Sequence, residues 1–359
     1  MKALLIYNPV AGPRNITEDL EQVIAFLRSQ DWEIVSRRTW GPGDATTYAR
    51  EAAAEGYDMA IAVGGDGTLG EMASGLVGSE CVAGLLPAGT GNVWAHMVGL
   101  PVWSPLNRTA LLEAAHTLVN GRVQAIDLGR IRDRCFVLWA GAGFDAQVTH
   151  DIEPHREMRR SLGHLGYTVT ALALSLSLRG TRVTVRVDGQ VVRQRALLIL
   201  VSNAQLYGRA WRIAPQAQLD DGFFDICIFK GANTLDAFRH LFGILSGQHL
   251  KDPKIETYRA RHIEIRGDKP LPLHMDGDPA GYTPVRITLL PKALRIIVPT
   301  WTSEQLFEGG EAPEQETSLA QRILERLRYE RERLREEGER LRQDWGRRLG
   351  WPSEEEDAD

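Results

Sequence analysis

The sequence predicts an α/β + β fold: a three-layer α/β domain first, a mostly antiparallel β-sandwich domain second, and a charged C-terminal helix. Three observations predict it. Up to residue 122, apolar runs of strand length alternate with helix-forming stretches, and each run opens into a loop of Gly, Pro or Asn. From Val123 to about residue 300 the texture changes to short strand-like runs separated by turns. Beyond a polar stretch at 301–318, residues 319–350 are dense in Arg and Glu, with Leu327, Leu334 and Leu341 seven apart.

In chain order, Lys2 to Tyr7 reads as a buried strand entering Asn8-Pro9-Val10-Ala11-Gly12, after which Thr17 caps a helix that runs to about Ser29 behind Glu18 and Asp19. Trp32 to Thr39 alternates as a second strand, Gly41-Pro42-Gly43 turns the chain, and Asp44 caps an alanine-rich helix ending near Gly56. Met59 to Val63 is the third strand; it enters Gly64-Gly65-Asp66-Gly67-Thr68 before a helix that starts near Leu69. Cys81 to Leu86, the loop Pro87 to Asn92 and the helical Val93 to Val98 make the fourth unit. Such alternation implies a parallel sheet covered on both faces, with all four loops at the carboxyl ends of the strands.

In the second domain, strands are expected at Val123–Arg130, Cys135–Ala140, Arg182–Val187, Val191–Ser202, Phe223–Phe229, Arg261–Arg266 and Leu294–Val298, with a two-residue hairpin turn at Asp188-Gly189. Only Thr234–Leu245 and the weakly polar 162–178, read as a buried amphipathic helix with a membrane-contacting helix as the alternative, interrupt them. The expected boundaries are 1–122, 123–300, a linker at 301–318, a helix at 319–350 and a disordered acidic end at 351–359. The 319–350 helix would dock its leucine stripe on its own domain or on a sister subunit in a homodimer, or lie on a membrane surface.

A net charge of −5 and a pI near 6.0 argue against a nucleic-acid partner. Cys81, Cys135 and Cys227 are far apart inside apolar runs, which reads as buried reduced thiols and a cytoplasmic home. The first apolar run stops at Asn8-Pro9 with no cleavage site after it, so it reads as a strand rather than a leader.

The chemistry centres on Gly64 to Thr68. A glycine turn between strand and helix bares backbone N–H groups to phosphate oxygens and adds the positive end of a helix dipole. Asp66 within it would repel phosphate unless a divalent cation lay between them or a hydroxyl bonded to it, so phosphate, metal and hydroxyl belong to one hypothesis. The same residues also read as a tight turn with Asp66 capping the following helix. Asp276-Gly277-Asp278 and Asp221-Gly222 carry the same ambiguity, because Asp-Gly is a common turn pair.

The ordered set Asn8-Pro9 with Gly12, Thr39, Gly43-Asp44-Ala45, GGDGT with Glu71 and Gly75-Leu76, Leu86 to Asn92, Gly141 to Ala146, Asn203, Ala214 to Asp225 and Asp276-Gly277-Asp278 resembles the diacylglycerol kinase catalytic domain of bacterial lipid kinases, to which sphingosine and ceramide kinases are related. The resemblance covers residues 2 to 300. It implies a nucleotide-binding first domain, ATP and Mg²⁺ at the glycine loops and a lipid entering the cleft from the second domain, at a membrane surface that the protein meets peripherally. Carried over by position, the nucleotide contacts are Asn8, Pro9, Val10, Ala11, Gly12, Thr39, Gly64, Gly65, Asp66, Gly67, Thr68, Leu69, Gly70, Glu71, Gly89, Thr90 and Asn92. Asp276 and Asp278 jointly hold the base role toward the lipid hydroxyl, Asp145 contacts the head group, and Asp221 with the carbonyls of Gln218 and Phe223 anchors a second, structural Mg²⁺.

Two departures stand out. The first loop has Ala11-Gly12-Pro13-Arg14 where the family has Ser-Gly-Lys, and Asp278 stands where it has Glu. NAD kinase shares the GGDGT loop, and a nucleotide- or lipid-binding regulatory protein without turnover is the non-enzymatic competitor.

Overall fold

The computed structural model describes residues 1–12, 16–143, 180–208 and 211–309. The expected helices at 162–178 and 319–350, the acidic end, the second half of the linker, Arg14 and Asp145 lie outside the described residues. Contacts divide the chain into units of residues 1–312 and 313–359, and the described residues all belong to the first.

Strands β1 (Lys2–Tyr7), β2 (Glu33–Arg38), β3 (Met59–Gly64) and β4 (Val82–Pro87) form a parallel sheet in the order β4-β3-β1-β2. β3 is buried throughout, as a strand covered on both faces must be. Helices α1 (Thr17–Ser29) and α5 (Ala110–Asn120) pack together on one face, and α2 (Asp44–Ala54) and α3 (Asp66–Leu76) on the other. A side chain at Gly75 would sit 2.4 Å from the Thr46 carbonyl, so the α2–α3 pair needs glycine there. This is the expected three-layer domain. Helix α4 (Val93–Val98) follows β4 as expected.

Several local expectations are corrected. Thr17 is the first helical residue, after Ile16, rather than the cap. Gly43, at φ 89°, occupies the cap of α2, while the Asp44 carboxylate turns back to accept from the Trp40 and Gly41 amides. Helix α3 begins at Asp66, three residues before Leu69. Helix α5 went unread, although Thr109 at its cap and Glu113 in its first turn are start signals, because an irregular stretch precedes it.

The second half is built on β5 (Arg122–Ile131), β6 (Arg134–Phe136), β7 (Trp139–Gly143), β8 (Thr181–Val187), β9 (Gln190–Ser202), β10 (Leu206–Tyr207), β11 (Trp211–Arg212), β12 (Phe224–Lys230), β13 (Ile255–Ala260), β14 (His262–Gly267), β15 (Pro272–Met275), β16 (Asp278–Tyr282) and β17 (Val285–Val298). The expected strand at 135–140 is two strands, because three successive amides at its centre turn onto one carboxylate, described below. The Asp188-Gly189 hairpin stands as read, with both residues at positive φ and Val187 opposite Gln190. Strands β13, β15, β16 and the first half of β17 went unread, since Glu, Arg, Pro and Gly interrupt their alternation.

Apart from the β4–β17 pairing every ladder here is antiparallel, and a closed core of Phe136, Val183, Val185, Phe224, Ile226, Ile263, Ile265 and their neighbours fills the sandwich. β17 joins the halves: its end pairs with β5 across Leu294–Val298, and Ile296 also lies beside Ala83 of β4 in a parallel bridge. Helix α6 (Thr234–Leu245) has the expected bounds, with the Asn233 side chain accepting from the Asp236 amide as its cap. Among the described residues no helix is long and apolar enough to cross a membrane. Cys81, Cys135 and Cys227 are free and buried, and burial pushes their thiols up to about 11, 11 and 12.

Candidate active site

Register brings the four glycine-containing loops together. Tyr7 pairs with Arg38 and Val63, and Gly64 with Pro87, so Asn8, Thr39, Gly65 and Ala88 stand side by side at the carboxyl edge. The loops touch through bare backbone. A Cβ on Gly12 would lie 2.1 Å from the Ala88 carbonyl, and one on Gly89 would lie 2.5 Å from the Gly65 Cα. Asn8 Oδ1 accepts from the Val10 amide at 3.1 Å, Ala11 N donates to the Asn8 carbonyl, and Thr39 Oγ1 donates to the Tyr7 carbonyl at 3.4 Å. Asn92, left-handed at φ 50°, donates to the Gly89 carbonyl at 2.8 Å, while its buried Oδ1 has no partner.

The acids of α3 serve neighbouring elements. Asp66 accepts from Val93 N at 2.9 Å and Trp94 N at 3.0 Å, so it caps α4 rather than its own helix. Glu71, four residues before Gly75, accepts from the Gly43 and Ala45 amides at the start of α2. Burial raises both carboxyls above the ordinary range, against those amide bonds. Thr68 packs on Gly64, and Leu69 and Gly70 are buried, so these three act through backbone and packing. Val10 and Thr90 are exposed at the loop rims, and Pro9 shapes the first loop between Asn8 and Val10.

Asp276-Gly277-Asp278 is both a turn and a site. Asp276 and Gly277 have φ 48° and 86° and close the β15–β16 hairpin. That hairpin turn docks on the first turn of α3: a Cβ on Gly67 would lie 2.5 Å from Asp278 Oδ2, and one on Gly70 would lie 3.2 Å from Asp276 Oδ2. Asp276 accepts from three successive amides, Val137 N on Oδ2 at 2.8 Å and Leu138 N and Trp139 N on Oδ1 at 2.9 and 3.0 Å. Burial raises its carboxyl to about 7, opposed by those three bonds and supported by the charge of Asp66. Three carboxylates, Asp66, Asp276 and Asp278, therefore gather beside the glycine cradle. Their oxygens are hard donors of the kind Mg²⁺ takes, and the bare backbone of the cradle suits a polyphosphate, while the orphaned Asn92 oxygen, an acceptor, suits a hydroxyl or amino donor. Among the described residues no three His, Cys, Asp or Glu stand ready-clustered around a metal position.

At the other carry-over site, Asp221 accepts from the Phe223 amide at 3.0 Å and is ion-paired with Arg259, while Gln218 Nε2 donates to the Phe307 carbonyl at 2.7 Å. Arg259 thus meets the charge that the cation would meet. The sequence reading missed Asp127. It is fully buried, and it ties this loop to β17 by accepting from Gly222 N and Lys292 N, both at 2.7 Å. An Asp alone within the apolar Ala125-Ile126-Asp127-Leu128 was the available signal. Asn203 donates to the Asp127 and Val137 carbonyls, joining β5 to the segment that holds Asp276.

Residues 2–131 match the diacylglycerol kinase catalytic domain, and residues 139–298 match the YegS C-terminal NAD kinase beta sandwich-like domain. The diacylglycerol kinase of Staphylococcus carnosus is 28% identical over 301 residues, covering 83% of this chain and 95% of that protein. A crystal structure of a diacylglycerol kinase from Bacillus anthracis superposes with a TM-score of 0.67 at 26% identity, over 83% of this chain and 97% of that one. The diacylglycerol kinase of Bacillus subtilis is 32% identical over 307 residues, spanning 85% of this chain and 99% of that protein, and on this likeness the chain belongs to the diacylglycerol kinase family.

Proposed function

We propose that this lipid kinase uses Mg-ATP to phosphorylate a hydroxyl of diacylglycerol or a related long-chain lipid alcohol. The observation that carries the reading is the docking of the Asp276–Asp278 turn on α3, which sets acceptor-side carboxylates against nucleotide-side glycines. Residues 1–122 bind the nucleotide and residues 123–300 carry the acceptor side. The backbone of Asn8 to Gly12, Gly64 to Gly67 and Gly89-Thr90 cradles the phosphates, and the buried Thr39 and Asn92 offer side-chain contacts beneath them. Asp66 and Asp278 would hold Mg²⁺, which when bound neutralises phosphate charge against these carboxylates. Asp276 is fixed on both oxygens by backbone donors yet keeps lone-pair capacity at Oδ2, so it is placed to accept the hydroxyl proton. No step runs through a metal at Asp221.

Transfer of labelled γ-phosphate from Mg-ATP to a panel of lipids in mixed micelles tests this. Labelled lipid from wild type, abolished by Asp66→Asn and by Asp276→Asn, is expected. A folded, ATP-binding protein that labels no lipid and forms NADP from NAD would replace the reading with NAD kinase, which the description of the matched sandwich domain favours as the second choice.

A further inference from the structure

Helix α6 is inverted. Its buried positions are Asp236 and His240, whereas Leu235 and Phe242 are 76% and 74% exposed, and Phe238 and Leu245 40% and 43%. Spaced 3, 4 and 3 apart, these four apolar residues form one stripe facing away from the protein. Its inner face is held by polar bonds: Ala232 N and Lys254 Nζ donate to Asp236 at 2.9 and 2.5 Å, and the His240 ring N–H donates to the Lys230 carbonyl at 2.7 Å. Among the described residues, apolar burial therefore does not account for the outer stripe.

Beside it lies a basic sheet face. Strand alternation and register put Arg182 opposite Arg195, Arg193 opposite Thr184, Arg266 opposite the same Thr184, and Arg186 and Arg286 on either side of Glu264. All six arginines are exposed, and on this part of β8, β9, β14 and β17 they meet the single acid Glu264, which Arg186 and Arg286 bridge at 3.2 and 2.7 Å. An open groove of about 550 Å³ runs along this face, lined by Arg186, Arg261 and Arg286 and by the two acids Asp188 and Glu264.

The two surfaces share one side of the sheet. β9 bulges opposite the Phe229–Lys230 step; before the bulge Arg193 and Arg195 point outward, and after it Leu198 and Leu200 pack on that same side, where His240 of α6 covers Phe229 with ring centroids 5.4 Å apart. The base of α6 is bonded to the arginine strand through Gly231 N to the Arg195 carbonyl at 3.1 Å. Residues beside the candidate active site pack on this side too. Trp139 of β7 lies against Tyr207 at 4.8 Å, and Tyr207 against His274 at 6.4 Å, two residues before Asp276.

We propose that the α6 stripe and the adjoining arginine face form the membrane-docking surface, with an anionic lipid bilayer as the occupant. A strip of Leu and Phe enters the head-group boundary while arginines at its flank meet lipid phosphates, the pairing that interfacial binding needs. Docked this way, the side of the sheet that carries Trp139, Tyr207 and His274 is turned toward the leaflet that supplies the lipid. The purpose of the surface rests on the lipid-kinase reading; its test does not require turnover.

Sedimentation with phosphatidylcholine vesicles, with and without phosphatidylglycerol, reads the proposal directly. Wild type is expected to pellet with the anionic vesicles alone and to release with salt. The triple variant Arg193→Gln, Arg195→Gln, Arg266→Gln is expected to bind about 100-fold more weakly, from about fivefold per arginine. Phe238→Ser with Phe242→Ser is expected to lose at least about tenfold. Both variants should keep wild-type turnover of lipid dispersed in detergent micelles. Because the native thiols are buried, Phe242→Cys can carry an environment-sensitive fluorophore, whose blue shift on anionic vesicles is expected in an otherwise unaltered fold. Wild-type vesicle binding by both variants, or no fluorophore shift, overturns the proposal. So does binding that emerges only once residues 310–359 are deleted, which assigns the surface to that segment. Vesicle binding without any lipid phosphorylation keeps the docking surface and sinks the kinase reading.

Discussion

Gly67 shows how narrowly the site is set. A methyl group there would lie 2.5 Å from Asp278 Oδ2, and the obstruction is the end of a side chain, so Gly67→Ala displaces the carboxylate while leaving the backbone at rest. The expected result is a fall in kcat of about 100-fold with an unchanged melting temperature, because misplacing a reacting group costs rate rather than stability. Retained kcat would remove Asp278 from the chemistry. Gly89→Ala differs in kind: its Cβ would strike the Gly65 backbone at 2.5 Å, so both nucleotide affinity and melting temperature are expected to drop. Asp276 and Asp278 part in the same way. Asp276→Asn places an amide group among three backbone donors and is expected to lower stability along with activity, whereas Asp278→Asn is expected to abolish activity alone.

At the scale of elements, α6 is held by charged and polar partners. Asn233 caps it, Lys254 pairs with Asp236, and Arg239 grips Asp252 through two bonds at 2.6 and 2.8 Å. These partners hold the Asp236 and Asp252 carboxyls below the ordinary range. A depressed folded-state value means stability that is present above the unfolded value and lost as pH falls through the folded one. Amide exchange in α6 is therefore expected to accelerate below about pH 4 before the parallel sheet follows; simultaneous loss of both would refute it. Asn233→Ala is expected to destabilise the chain by about 1 kcal/mol in urea unfolding, the usual worth of an N-cap.

At the scale of the whole molecule, the gathered acids work against neutral-pH stability. Burial raises Asp66, Glu71, Asp127 and Asp221, takes Asp225 to about 6 and takes Asp276 to about 7. Each raised acid keeps its proton in the folded chain at a pH where the unfolded chain has lost it, so stability is fully present below the unfolded value and declines as pH rises through the folded one. Without nucleotide or metal, the melting temperature is expected to fall between about pH 5 and pH 7 and to level off above, as differential scanning fluorimetry would read. A melting temperature that climbs over that interval contradicts the burial of these carboxylates. β17 makes the halves interdependent, since Ile296 is wholly buried and adjoins both β4 and β5. Ile296→Ala is expected to cost about 3 kcal/mol and to shift a single unfolding transition rather than split it.

The sequence alone determined what local pattern encodes. Alternating runs specified the four strand–loop–helix units, Asp188-Gly189 its hairpin, Thr234 to Leu245 its helix, and the ordered loops the family, because each depends on neighbours a few residues apart. Boundaries set by distant partners were not legible. The strand at 135–140 breaks because Asp276, 137 to 139 residues away in the chain, draws three amides onto one carboxylate. Asp66 looked like a cap for its own helix, yet its oxygens are taken by α4, 27 and 28 residues on. The inversion of α6 and the arginine face beside it were equally invisible, since sequence gives the period of a stripe but not which side the core lies on. Tertiary structure decided those points, because a carboxylate's partners and a helix's inward face are fixed by what packing brings across the chain.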